Sequence, residues 1–311
     1  MKNTPHIIVV GSSNMDLVVK SARIPAVGET ILGGDFIMAP GGKGANQAVA
    51  AAKLGTKVFF IAKLGDDIFG AKSLENFKNE GVNTKYVTRT KDAPSGVALI
   101  AVDQAGNNAI VVAPGANQKL TKNDLEQAKS DIASSGAVVA QLEIPLEIVE
   151  YAAKLANGCG VPFILDPAPA RELSDELLGR VDVIKPNETE ARILTGIEVK
   201  DENSARLAAR SLLKRGVKAV IVTMGVSGYL LVDSQKDEFV SARKVKAVDS
   251  TAAGDAFTGA LASGLAKGQS LSEAAFFANH VAALSVAKMG AQPSMPTIEA
   301  VEAFMKNGTV S

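Results

Sequence analysis

The chain has 311 residues, 47% hydrophobic and 21% charged, enough apolar material for one large domain or two ordinary ones. Its 33 basic residues balance its 33 acidic ones without runs of like charge, which argues against a nucleic-acid-binding surface. A single cysteine, Cys159, excludes an intrachain disulfide, and two histidines leave little for a His/Cys zinc cluster.

The first predicted strand is IIVV (7–10), too short an apolar run for a signal-peptide core. Residues 12–40 then alternate, as D-L-V-V and E-T-I-L-G-G-D-F-I-M. GANQAVAAAKLG follows with apolar residues at helical spacing and a terminal glycine, and VFFIA (58–62) is the next strand. Residues 95–113, SGVALIAVDQAGNNAIVVA, are two β-runs around a turn and predict a hairpin. VVAQLE (138–143), FILD (163–166), DVIKPN (182–187) and AVIVTMG (219–225) complete the strands, with NSARLAARSLLKRG a helix before the last.

Continuous apolar strands separated by helices predict a three-layer αβα core around a mostly parallel sheet. The alternating segments, about 12–40 and 95–113, predict a small antiparallel β-sheet projecting from it. Ile31, Phe36, Ile37, Val97 and Leu99 give that sheet an apolar face, so it is expected to be a lid, a partner surface, or both. We expect one domain over 1–311. With no apolar run near ~18 residues, no membrane span is expected, and the expected location is the cytoplasm.

Four segments carry candidate chemistry. In D-S-T-A-A-G-D-A-F (249–257), Asp255 stands at a helix start, where capping alone would explain it. The N–H groups of Ala253, Gly254 and Asp255 would also form an anion pocket there, with the carboxylate placed to accept a hydroxyl proton. A-P-G-G-K-G-A-N-Q-A (39–48) resembles a phosphate loop but is not a Walker A sequence. Its glycines would let backbone approach a ligand, with Lys43 and Asn46 as donors to hydroxyls. In K-P-N-E-T-E (185–190), Asn187 and Glu190 can form a helix capping box or stand beside phosphates and hydrated magnesium. T-M-G-V-S-G (223–228) is a glycine turn at a strand end, where ligands of parallel sheets bind. His280 is expected to be a satisfied core histidine, and Asn279 beside it could line a pocket. No G-x-S-x-G elbow and no G-x-G-x-x-G fingerprint occur.

The order of these motifs along the chain resembles the ribokinase branch of the PfkB carbohydrate-kinase family. The segments that carry the resemblance are G-S-S-N-M-D, G-G-K-G-A-N-Q-A-V-A-A-A-K-L-G, D-P-A-P-A-R-E-L, P-N-E-T-E, T-M-G-V-S-G and D-S-T-A-A-G-D-A-F. The resemblance covers nearly all of the chain and implies ATP-dependent phosphorylation of D-ribose at its 5-hydroxyl. It implies that Asn14, Asp16, Gly42, Lys43, Asn46 and Glu143 hold the sugar. Asn187, Glu190, Thr223, Gly225, Gly228, Ala253, Gly254 and Asn279 would surround ATP, with Glu190 helping to position Mg2+. Asp255 would be the general base, and Ala252 to Asp255 the anion hole. A monovalent-cation site for K+ would use Asp249, Thr251, Ser285, Lys288, Gly290 and Ser294, and the chain would pair as a homodimer through the lid. Ser250 and Ala252 depart from the common D-T-x-G-A-G-D, alanine at 252 being a feature of the branch. Asp166 stands where the branch tends to have Asn, and no role is assigned to it. The alternatives are a sister kinase of another small sugar or a nucleoside, or a silent sugar- or nucleotide-binding relative.

Overall fold

The computed structural model describes residues 5–308. Its strands in chain order are β1 (His6–Val10), β2 (Asn14–Lys20), β3 (Phe36–Gly41), β4 (Lys57–Gly65), β5 (Asn83–Thr90), β6 (Gly96–Val102) and β7 (Asn108–Ala113). They continue as β8 (Ala137–Ala140), β9 (Phe163–Leu165), β10 (Val183–Ile184), β11 (Ala219–Thr223), β12 (Gly228–Asp233) and β13 (Asp237–Ser241). Helices of at least eight residues are α1 (Lys43–Lys53), α2 (Ile68–Asn79), α3 (Leu146–Gly158), α4 (Glu188–Thr195), α5 (Glu202–Lys214), α6 (Ala253–Ala266), α7 (Leu271–Ser285) and α8 (Ile298–Asn307).

Nine strands form one sheet in the order β13-β12-β11-β10-β9-β8-β1-β4-β5, parallel from β11 to β5, with β12 and β13 antiparallel additions at one edge. Alternation along each strand feeds two cores. Ile8 and Val10 pack with Ile148, Val149, Ala205 and Leu212 on one face, while Ile7 and Val9 pack with Ala48, Ala256, Ala260 and Ala278 on the other. Every residue of β1 and β8 is buried, which is why these strands read as unbroken apolar runs. Chain order reverses between β1 and β8, the position at which open α/β sheets bind ligands.

The second sheet has the order β3-β2-β6-β7. Its outer pairs are antiparallel and the 96–113 hairpin forms as expected, but β2 and β6 run parallel. The expected antiparallel sheet is therefore mixed. The reason lies in the main sheet: β1 and β5 point the same way, so the strands that follow each of them leave in the same direction. The four predicted strands from VVAQLE to AVIVTMG all end earlier than expected, FILD at Leu165 and AVIVTMG at Thr223. VVAQLE yields the sheet only through Ala140, and DVIKPN contributes only Val183–Ile184. The residues that leave the sheet, Gln141 and Lys185, are polar.

Helix α6 packs closely on α1: a Cβ on Gly259 would come within 2.6 Å of the Gln47 carbonyl oxygen. His280 is a satisfied core residue, its Nδ1 bonded to the Phe276 carbonyl oxygen at 2.8 Å. No helix of the described residues is long and apolar enough to cross a membrane.

Candidate active site

Several parallel strands deliver a polar residue at their C-terminal ends: Gln141 after β8, Asp166 after β9, Lys185 after β10, and Thr223 as the last residue of β11. These ends and the starts of α1, α4 and α6 surround a cleft of about 340 Å3. Lys43, Asp166, Lys185, Asn187, Glu190, Thr223, Gly225, Gly228, Asn279 and the 252–255 turn line it.

Asp255 is the third residue of α6 and does not cap it. The cap position is Ala252, and no side chain bonds the helix start. Capping is thus excluded as the reason for this carboxylate. Asn46 Nδ2 donates to its Oδ2 at 2.9 Å, and Gln47 Nε2 donates to its Oδ1 at 3.0 Å. Asp255 is only 5% exposed. Burial raises its pKa, with Asp166 adding to the rise, while Lys43, Asn46 and Gln47 oppose it. A carboxyl shifted upward and pinned in one orientation is a stronger base than a free one.

Ala252 has φ 60°, the only positive value at a non-glycine among the described residues. That left-handed conformation costs an L-residue roughly 1–2 kcal/mol. It swings the chain so that the peptides after it face the cleft. The N–H of Ala253 bonds the Ser250 carbonyl at 3.3 Å, whereas those of Gly254 and Asp255 have no protein acceptor among the described residues. Two amides at the positive end of a 14-residue helix form an anion-binding site.

A second group of charges lies where β2 and α1 begin. Glu143 accepts from the Ser12 hydroxyl and, at 3.1 Å, from the Lys43 N–H. Asn117 Nδ2 donates to Asn14 Oδ1 at 2.8 Å. Burial, then the charges of Glu143 and Asp255, push Asp16 up to about 6. Burial opposes the charge on Lys43, but the carboxylates of Asp255, Asp166, Glu143 and Glu190 outweigh it and raise its pKa. The glycines of this segment are required by contacts within the chain. Gly42 has φ 90°, and a Cβ there would stand 2.7 Å from the Asn14 nitrogen; one on Gly44 would stand 2.7 Å from Gly11. The close approach is of α1 to the chain itself.

Asn187 and Glu190 do form a reciprocal capping box, with both bonds at 2.8 Å. The box leaves Glu190 on the cleft wall, where burial and Asp166 raise its pKa against Lys185, the Asn187 N–H and Lys43. Asn279, in α7, donates to the Ser241 carbonyl at 2.9 Å. Next to the 252–255 turn, Asp249 accepts from the N–H groups of Thr251 at 2.9 Å and Gly290 at 2.8 Å. Burial disfavours its charge, but those bonds hold its pKa below the ordinary value. Ser285 and Ser294 are buried in the adjoining segment, and Lys288 is exposed. Among the described residues no cluster of His, Cys, Asp and Glu has metal-ligand geometry, so any cation here would rest chiefly on backbone oxygen.

Sequence reasoning missed Gln47 and Gln141, buried beneath the cleft, and gave no role to Asp166 and Lys185, buried in its floor. The available signal was positional: a polar residue at the end of a parallel strand.

The raised pKa of Asp16 has a consequence for stability. A folded pKa of about 6 against 3.8 in the free chain means the fold prefers the protonated form. This contribution is therefore fully present below pH ~4 and lost as pH rises through ~6, at most about 3 kcal/mol. Asp16→Asn should raise the urea midpoint of the ligand-free chain more at pH 8 than at pH 4. An equal effect at both would contradict the assignment.

Comparison with known proteins bears on the family and the fold. The model of the pfkB family carbohydrate kinases matches residues 4–298. A ribokinase of Haemophilus influenzae is 43% identical over 299 residues, 96% of this chain and 98% of that one. A deoxyribokinase of Salmonella typhimurium is 40% identical over 300 residues, covering 96% and 98%. The structure of Arabidopsis thaliana ribokinase complexed with ribose and ATP superposes with a TM-score of 0.91 at 36% identity, covering 97% of this chain and 99% of that one. A carboxylate pinned beside unpaired helix-start amides, on a fold and sequence shared over nearly the whole length, places the chain in the pfkB family of carbohydrate kinases.

Proposed function

We infer that the protein transfers the γ-phosphoryl group of ATP to the 5-hydroxyl of D-ribose, giving ribose 5-phosphate and ADP. The observation that carries this reading is Asp255: a buried carboxylate, held by two amides, beside the unpaired N–H groups of Gly254 and Asp255. Phosphoryl transfer needs alignment and charge compensation more than covalent help. Asp255 accepts the hydroxyl proton as the sugar oxygen attacks phosphorus, and the turn N–H groups and helix dipole stabilise the charge on the transferred group. Asn14, Asp16, Lys43, Asn46 and Glu143 bind the sugar hydroxyls. The lid closes over the sugar and excludes water, which limits ATP hydrolysis. A silent relative would have no use for a base held this way.

A second reading concerns the sugar. The similarity to a deoxyribokinase brings 2-deoxyribose into consideration. Half-buried acceptors such as Asp16 and Glu143 favour the fully hydroxylated pentose, because a missing hydroxyl leaves them unpaired.

Among the described residues Glu190 accepts only the Asn187 N–H and has an oxygen to spare on the cleft wall, so Asn187 and Glu190 fit the hydration shell of Mg2+. Bound with ATP, that ion would neutralise phosphate charge. Asp249 draws the 249–251 and 290–294 segments together while staying charged, which suits a monovalent cation among carbonyl oxygens. Exchanging potassium for sodium should lower kcat; equal rates would contradict the K+ site. The lid leaves Phe36 60%, Leu99 53% and Val111 67% exposed, an apolar face suited to a second copy of the chain. Sedimentation should give a homodimer that Leu99→Asp dissociates; a monomeric wild type would contradict this pairing.

Asp255→Asn tests the central assignment. Loss of a general base costs about 10²–10⁴-fold in rate. The variant should lose kcat on that scale in an ADP-release assay while its ribose affinity stays within a few-fold, and undiminished turnover would contradict the reading.

A further inference from the structure

Beneath the catalytic turn lies a buried ion pair that the mechanism above does not use. Lys185 Nζ stands 3.2 Å from Asp166 Oδ2, and their side chains are 4% and 2% exposed. Each member reaches one of the two catalytic elements. Lys185 Nζ also donates to the Gly254 carbonyl oxygen at 3.3 Å, which the Thr258 hydroxyl meets at 3.0 Å. That carbonyl belongs to the same planar trans peptide as the Asp255 N–H, so the two point in opposite directions. Fixing the oxygen on the floor aims the N–H at the cleft, and a cation on the oxygen makes the N–H a better donor.

Asp166 acts on the other element. Gln47 Nε2 donates to Asp166 Oδ2 at 2.8 Å and to Asp255 Oδ1 at 3.0 Å, sharing one amide between two carboxylates. Its Oε1 accepts from Gln141 Nε2 at 2.6 Å, so the amide cannot turn round without facing oxygen with oxygen. The protein donors to Asp166 all meet Oδ2, and Oδ1 has no partner among the described residues. One oxygen therefore ties the floor lysine to the base.

We propose that the Asp166–Lys185 pair is the positioning device of this site, orienting the Asp255 carboxylate through Gln47 and the Asp255 N–H through the Gly254 carbonyl. This rests on the kinase reading and adds two positioning residues to it. The charged groups around Asp255 are Lys43 from α1, Asp16 from β2, Asp166 after β9 and Lys185 after β10, with Glu190 of α4 facing Asp166. Asp166 raises the Asp255 pKa. Removing its charge leaves Lys185 unopposed and lowers that pKa, whereas removing Lys185 raises it.

The test compares the full-length wild type with Asp166→Asn, Lys185→Met and the double variant, using ribose and ATP across pH 5–9. Each single variant should lose about ten- to a hundredfold in kcat, as displacement of a reacting group does. KM for ribose should stay within about threefold. The acid limb of kcat/KM should move down for Asp166→Asn and up for Lys185→Met, opposite shifts that a merely structural pair would not give. The double variant should lose less than the product of the single losses, since it leaves no unpaired buried charge. If Lys185→Met does not fold, the limb of Asp166→Asn decides. Wild-type kcat and limb in the folded variants, a rise only in KM for ATP, or a loss only of thermal stability would each overturn the proposal. A wild type that releases no ADP with ribose or 2-deoxyribose would overturn the kinase reading and this one with it.

Discussion

As the proposed base, Asp255 must be dry enough to accept a proton and yet remain able to ionise. Burying a carboxylate without partners would simply neutralise it. Here the two amides of Asn46 and Gln47 and the positive field of Lys43 supply the compensation, while burial and Asp166 keep the proton affinity high. The amides come from α1, the carboxylate from α6, and the two helices meet where Gly259 admits a close approach. That contact is made far along the chain, between residues separated by 208 and 209 positions. The fold is in this sense the means of bringing an amide pair to a carboxylate.

The rest of the cleft follows from the parallel sheet. Strands that run the same way release their chains at one end, and neighbouring ends stand about 4.8 Å apart. Gln141, Asp166 and Lys185 emerge from β8, β9 and β10, which are consecutive in the sheet, so they form a row. A row of polar groups at that spacing bonds laterally, as Gln47 shows by meeting Gln141, Asp166 and Asp255 at once. The second sheet is placed by the same directionality, since β2 follows β1 and β6 follows β5.

The sheet core was legible in the sequence because two-sided burial writes itself as unbroken apolar runs, as in IIVV. The 96–113 hairpin was legible through its turn residues. Strand β5, NTKYVTRT, went unread because it is half-exposed and polar at the edge of the sheet, and β12 and β13 because antiparallel additions follow no βα rhythm. Asp255 was singled out through its motif, but only three dimensions show that the glycines of 42–44 face the Gly11–Asn14 stretch between β1 and β2. Asp166 and Lys185 were invisible as a pair. Each is one polar residue after a strand, 19 positions apart, and nothing in a linear pattern joins them.

The measurement that bears most directly on this account is a structure of the complex with ribose and a non-hydrolysable ATP analogue. The Asp255 carboxylate should lie about 2.6–3.2 Å from the sugar's primary hydroxyl, with the Gly254 and Asp255 N–H groups turned toward the terminal phosphate. A complex with that hydroxyl and phosphate together at some other acid, and Asp255 out of reach of both, would contradict it.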